Sequence, residues 1–179
     1  IDSEDYFKGR SGYSKDENNK LYKDNDERSI FFSKGVIETI KKLNWAPDLI
    51  HVHGWIASLL PLYMKYYYKD DPIFDGTKVV VSLYENALDG KMDKNFVKKI
   101  KYDEIDDSNL TLLNESTYEN LYKIALKYAD GAILTSDLKN KFSSVLKNID
   151  IPILECPHSS DDYKEKYTEF YNSFLLNED

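Results

Sequence analysis

The spacing of apolar and polar positions changes several times along this chain, and each change predicts an element. Residues 1–26 are polar, carry Gly9, Gly12 and several Asn and Asp, and show no period, which reads as a long loop. The run Asp24-Asn25-Asp26-Glu27 then suits a helix N-terminus, as caps and against the dipole. Ile30, Phe31, Lys34, Val36, Ile37, Ile40 and Leu43 follow at helical spacing. This helix should end near Asn44, because Pro47 biases Ala46 away from helical angles.

Residues 48–53 form a short run that stops at Gly54, the pattern of a buried parallel strand. Trp55 to about Lys69 is helical again, and Pro61 inside it predicts a kink or a late start. Residues 78–84 give the next strand, rich in β-branched residues. A loop over 86–94, a short helix over 94–101 and an irregular acidic stretch over 103–114 come next. Thr117–Tyr128 is a helix with Leu121, Ile124, Ala125 and Tyr128 inward, and residues 131–136 form a third strand. Ser136 or Asp137 should cap a helix running to about Lys147. Residues 151–155 make a short strand, placed at an edge because Pro152 lacks a donor. A last helix with Tyr163, Tyr167, Phe170, Tyr171 and Phe174 closes the chain after Asp161 or Asp162.

Strands alternating with helices mean right-handed crossovers and a mainly parallel sheet. The expected fold is α/β, a Rossmann-like three-layer sandwich. Residues 1–179 read as one such domain, with 1–26 loop-rich and 151–179 a closing strand and helix. The three principal strands should be parallel and adjacent.

Length and composition narrow the function. A chain of 179 residues can bury roughly 70% of its unfolded surface, so a core is available. Net charge is −8, and the only arginines are Arg10 and Arg28, a poor composition for binding nucleic acid or anionic membranes. No apolar run approaches the roughly 20 residues that span a bilayer. The single cysteine, Cys156, excludes an internal disulfide framework and points to a reducing, cytoplasmic compartment. Ile1 rather than Met opens the chain, so the sequence reads as beginning inside something longer. Fifteen tyrosines accompany a preference for Lys over Arg, and either a codon bias or an aromatic interface would produce that.

Candidate chemistry sits where strands hand over to the next element, since open parallel sheets hold ligands at the carboxyl ends of their strands. His53-Gly54-Trp55 ends one strand: Gly54 allows close backbone approach, and Trp55 opens a helix with free N–H groups. The bland alternative is a turn glycine and a core tryptophan. Tyr84-Glu85-Asn86 ends the next strand and should face the same crevice, the alternative being a polar loop. His51 and His53 share a strand face but lack a third ligand, and Cys156 and His158 lie far along the chain, so no metal or cofactor is expected. No glycine-rich phosphate loop, G-x-S-x-G turn or calcium loop occurs.

Several blocks in this order resemble the glycogen/starch synthase family. They are Asp24-Asn25-x-x-Arg28 with Phe31-Phe32-Ser33-Lys34, and Trp45-x-Pro47-Asp48-Leu49-Ile50-His51-x-His53-Gly54-Trp55 with Pro61-Leu62-Tyr63 and Lys65. Lys78-Val79-Val80 is similar to the strand leading to the family's Thr-Val-His-Asn segment, and Tyr128-Ala129-Asp130 with Thr135-Ser136 to its Tyr-Ala-Asp segment. The resemblance covers about residues 1–140. It implies one lobe of a two-lobed, GT-B-type retaining glycosyltransferase that moves glucose from ADP-glucose to the end of an α-1,4-glucan.

The departures carry as much information. The family's phosphate-binding Lys-Thr-Gly-Gly segment would precede Ile1. Family members often carry Asp where this chain has Gly54, and a catalytic His where alignment on Lys78 puts Tyr84, with Glu85 at the following Asn. The resemblance places most sugar-nucleotide contacts in a C-terminal lobe of roughly 150 residues or more, whereas 43 residues follow Ser136 here. The resemblance thus implies ADP-glucose or α-glucan as ligands and a complete synthase as a partner. The expected crevice is His53, Gly54, Trp55, Tyr84, Glu85 and Asn86, no catalytic residue is expected in this chain, and the chain alone should be inactive. A non-catalytic glucan- or partner-binding domain of the same ancestry is the alternative, favoured by Tyr84; an unrelated flavodoxin-like binding domain is a third.

Overall fold

A computed structural model describes residues 3–10, 13–84, 90–101, 105–156 and 160–176. In chain order these form α1 (Glu4–Phe7), α2 (Asn25–Lys42), β1 (Leu49–His53), α3 (Leu60–Tyr66), β2 (Lys78–Ser82), α4 (Phe96–Ile100) and α5 (Asp107–Leu110). Then come α6 (Tyr118–Tyr128), β3 (Gly131–Leu134), α7 (Ser136–Lys141), α8 (Ser143–Leu146), β4 (Ile153–Glu155) and α9 (Tyr163–Leu175).

The four strands make one sheet in the order β1-β2-β3-β4, every pair parallel. The register sets Leu49 beside Lys78 and His53 beside Ser82, so β1 and β2 end level with each other. Period-two alternation assigns the faces. Ile50, Val52, Val79, Val81 and Leu134 enter the large core beneath α2, α3 and α6, where Ile37, Leu59, Leu60, Leu121 and Ala125 are sealed from solvent. Val80, Ile133 and Cys156 face the other way, under Tyr167, Phe170, Tyr171 and Phe174 of α9. The sheet is therefore a middle layer, as the alternating pattern predicts. At Gly131 a β-carbon would stand 2.5 Å from Phe174 Cζ, so the missing side chain lets α9 lie close against β3.

Local chemistry accounts for the boundaries and for three corrections to the sequence reading. Thr117 caps α6 by accepting from Asn120 N at 3.1 Å. Pro61 lies in the first turn of α3; a 3-10 turn over Trp55–Ala57 precedes it, so the helix starts late. Pro152 is tolerated because it precedes β4, where its carbonyl still accepts from Ala132 N at 3.0 Å and its missing donor falls outside the strand. The first correction lies in the loop-rich opening, which holds α1 and an antiparallel bridge between Lys15 and Leu21. The second is the cap of α7, which is Thr135, not Ser136 or Asp137. The third is the helix expected to reach Lys147. It breaks at Phe142, whose ring is drawn into the core against Tyr122 with centroids 6.3 Å apart. The acidic start of α2 is also used differently: Asp24 makes no capping bond and pairs with Arg10 at 2.5 Å, while Asp26 and Glu27 both accept from Lys99 Nζ at 2.7 Å.

No described helix is long and apolar enough to cross a membrane.

Candidate functional site at the carboxyl ends of β1 and β2

Gly54 N donates to Ser82 O at 2.9 Å, which fixes the end of β1 against β2. Gly54 then takes φ 67° and ψ −169°, a region that only glycine visits without strain. That backbone reversal separates its two neighbours. His53, still in the strand alternation, faces α9; Trp55 turns toward α2 and α6.

Tyr84 continues the alternation of Val80 and Ser82 past the end of β2. Its hydroxyl lies 2.5 Å from His53 Nδ1, and the two rings are near parallel, 25° apart with centroids 6.1 Å apart. Tyr84 Cδ2 lies 3.5 Å from the place a β-carbon on Gly54 would occupy. Burial and the neighbouring Tyr167 hold the Tyr84 phenol above its ordinary pKa, so it is a neutral hydroxyl at physiological pH.

His51 lies beneath this pair, its ring centroid 4.0 Å from that of His53. Ser82 Oγ is 2.8 Å from His51 Nε2, and the Tyr171 hydroxyl is 2.6 Å from Nδ1. Burial, with His53 alongside, pushes its pKa down to about 3. A neutral imidazole with a partner on each nitrogen ties β1, β2 and α9 together. No group of His, Cys, Asp and Glu arranged to hold a metal ion occurs among the described residues.

The structure brings together His53, Gly54 and Tyr84. Trp55 stays at the same end of the sheet, but its indole is only 3% exposed and packs edge-on against Tyr118, centroids 5.6 Å apart. Its Nε1 has no hydrogen-bond partner among the described residues. Glu85 and Asn86 lie outside the described residues.

A neighbouring polar group was not singled out in the sequence as part of the site. Arg28 is 2% exposed, and its guanidinium lies over the rings of Phe7, Tyr22 and Trp55 at 5.3, 5.4 and 5.7 Å. Nη1 donates to Tyr13 O at 2.9 Å and to Asn25 Oδ1 at 2.7 Å. Asn25 Nδ2 donates in turn to Ser14 O and the Tyr118 hydroxyl, both at 2.8 Å. Tyr13 covers Trp55, centroids 5.4 Å apart, and is itself 57% exposed. The signal was present as Asp24-Asn25-x-x-Arg28, but only packing reveals that the pair pins residues 13 and 14 beside the strand ends.

Gly54 holds a backbone conformation that strains any other residue. Gly54→Ala should cost about 1–3 kcal/mol from backbone strain alone, since the added methyl meets Tyr84 at ordinary contact distance. Thermal unfolding measures this directly, and an unchanged Tm would mean that the backbone at 54 relaxes freely.

Comparison with known proteins shows the family. The family model described as the starch synthase catalytic domain matches residues 1–139. The chain is 36% identical over 138 residues to a glycogen synthase from Chlorobium luteolum, covering 76% of this chain and 27% of that protein. It is 40% identical over 90 residues to one from Vibrio parahaemolyticus, 50% of this chain and 18% of that protein. It is 44% identical over 70 residues to one from Elusimicrobium minutum, 39% of this chain and 14% of that protein. At 27% or less, the chain spans about a quarter of the length of these curated relatives, or less.

Proposed function

The chain belongs to the glycogen/starch synthase family, and from that premise we propose that it serves α-glucan synthesis as part of the N-terminal lobe of a glucosyltransferase. Residues 1–179 act as one Rossmann-like unit in a cytoplasmic setting. Its contribution is the wall at the carboxyl ends of β1 and β2, against which ADP-glucose and the glucan end are held in the assembled enzyme. The observation that supports this most directly is the meeting of His53, Gly54 and Tyr84 at those strand ends, where parallel α/β sheets hold ligands.

The 179-residue polypeptide by itself transfers no glucose. Charge developing on the departing ADP needs preorganised donors in a closed, water-poor cleft. The family supplies most of them from a glycine-rich turn and a second lobe, neither of which is in this sequence. Tyr84 in place of the catalytic His removes one more contact, and losing a single such donor typically costs on the order of a hundredfold in rate. Incubation of the purified polypeptide with labelled ADP-glucose and glycogen should give no incorporation above a no-protein blank. Incorporation that rises in proportion to added polypeptide would overturn this.

Tyr84 also favours a second reading, a non-catalytic domain that binds glucan or regulates a complete synthase. A phenol locked on His53 is a poor stand-in for an imidazole that must touch the sugar. On that reading, adding the polypeptide to an active synthase changes the synthase's rate or its retention on glycogen.

A further inference from the structure

We propose that α9 is a strap that lifts from the sheet as one unit, with the Tyr171–His51 hydrogen bond as its latch and acid as its release. Whatever the strand ends hold, the assembly of His51, His53 and Tyr84 then depends on pH.

Periodicity decides how α9 sits. Tyr163, Tyr167, Phe170, Tyr171 and Phe174 fall on one face at helical spacing, while Lys164, Glu165 and Glu169 are exposed. No residue of α9 is fully buried, whereas α6 seals Tyr118, Leu121, Tyr122, Ile124, Ala125 and Leu126. What α9 covers is a small cluster, Val80, Ile133 and Cys156, on the face of the sheet opposite the main core. Lifting α9 opens that cluster and leaves the main core and the β3–β4 pairing in place. Elements that bury little apolar surface are the ones that open below the free energy of global unfolding. The helix also reaches the strand-end cluster directly: Tyr171 bonds His51, and Tyr167 neighbours Tyr84.

The latch is specific. The Tyr171 hydroxyl is 2.6 Å from His51 Nδ1, and Ser82 Oγ is 2.8 Å from Nε2. A neutral imidazole has one donor and one acceptor nitrogen, so one hydroxyl donates to it and the other accepts. An imidazolium has two donors, so the hydroxyl that donated must turn or leave. The surroundings of His51 do not welcome that charge. From β1 it meets His53, centroids 4.0 Å apart, and from α9 the neutral phenols of Tyr167 and Tyr171. From β2 it meets Ser82, while the Tyr84 hydroxyl is on His53. The α2 residues in the groove beside it, Phe32, Val36, Thr39 and Ile40, are uncharged. Cys156 and the Lys166–Asp162 pair, at 2.8 Å, stand toward the start of α9. The closed strap therefore holds His51 neutral, and lifting it returns the ring to water, where a proton is accepted.

Hydrogen–deuterium exchange of the 179-residue polypeptide at pH 7 and pH 5, resolved by peptide and corrected for intrinsic rate, tests this. At pH 7 the amides of α9 should exchange at least about tenfold faster than those of α6. Protection of α9 should fall about tenfold from pH 7 to pH 5; about 25-fold is the ceiling, reached when the open state restores the ordinary His pKa. His51→Gln, which does not titrate, should hold α9 protection within about twofold over the same range. Tyr171→Phe removes only the latch hydroxyl and should lower α9 protection at pH 7 about fivefold. Near-ultraviolet circular dichroism checks that both variants are folded, and the parent's two profiles stand without them. Exchange of α9 in step with α6 at both pH values would overturn the inference, because the helix would then open only with the whole chain. So would α9 protection that is the same at pH 5 as at pH 7, or that falls as steeply in folded His51→Gln as in the parent. The proposed function is judged by glucose incorporation, so the two can fail separately.

Discussion

Acidification from pH 6.5 to 4 is expected to cost the folded chain about 3 kcal/mol through one side chain, His51. Its pKa lies near 3 in the folded chain against an ordinary 6.5, because burial and the adjacent His53 both oppose a positive charge there. Ser82 and Tyr171 occupy its two nitrogens, with His53 and Tyr167 ring to ring beside it. A folded-state pKa below the unfolded value means that the unfolded chain takes up a proton the folded chain refuses. The stabilisation is therefore complete above pH 6.5 and is lost progressively down to about pH 3, at about 1.4 kcal/mol per pH unit. Carboxylates with lowered pKa values, such as Glu27 and Asp71, begin to lose their contribution only below their ordinary 4.5 and 3.8, in the lower part of this range. Urea unfolding at pH 7, 5 and 4 should show a steep acid limb for the parent and a shallower one for His51→Gln, which keeps two polar ends without the titration. Parallel acid limbs for the two proteins would remove His51 from this role.

Arg28→Ala is expected to destabilise the chain by about 3 kcal/mol or more, lowering Tm by roughly 6–12 °C. The guanidinium is buried without a salt-bridging carboxylate among the described residues, and burial lowers its pKa. What offsets that cost is specific: two hydrogen bonds from Nη1 and three aromatic faces. Truncation strands Tyr13 O and Asn25 Oδ1 and leaves a void against Phe7, Tyr22 and Trp55. Arg28→Met fills the void but not the hydrogen bonds, so the expected order of stability is parent, then Met, then Ala. An alanine variant within about 2 °C of the parent would mean that Arg28 anchors nothing.

Much of the fold could be read from periodicity because its elements are locally self-consistent. Val79, Val80 and Val81 are consecutive β-branched residues, the pattern of a strand buried on both faces. Residues 118–128 combine a threonine cap with an apolar stripe, so cap and period agree. The helix expected to reach Lys147 breaks at Phe142 because that ring is buried against Tyr122, from a different helix, which no local spacing encodes. The short α1 was invisible because four residues carry no period, and its aromatic rings are ordered by Phe31 of α2.

The candidate site divides in the same way. Sequence alone determined that His51 and His53 share a strand face, that a glycine reverses the chain after them, and that a tyrosine stands at the end of the neighbouring strand. Those are consequences of a two-residue repeat and of glycine's freedom at positive φ. Only the tertiary structure decided that the Trp55 indole goes inward against Tyr118 while His53 meets Tyr84, because the 67° turn at Gly54 sends successive side chains to different layers. Only the tertiary structure, too, placed Arg28 under Trp55 and Tyr171 on His51. Those partners lie 27 and 120 positions apart, and no local pattern encodes which distant groups will be desolvated together.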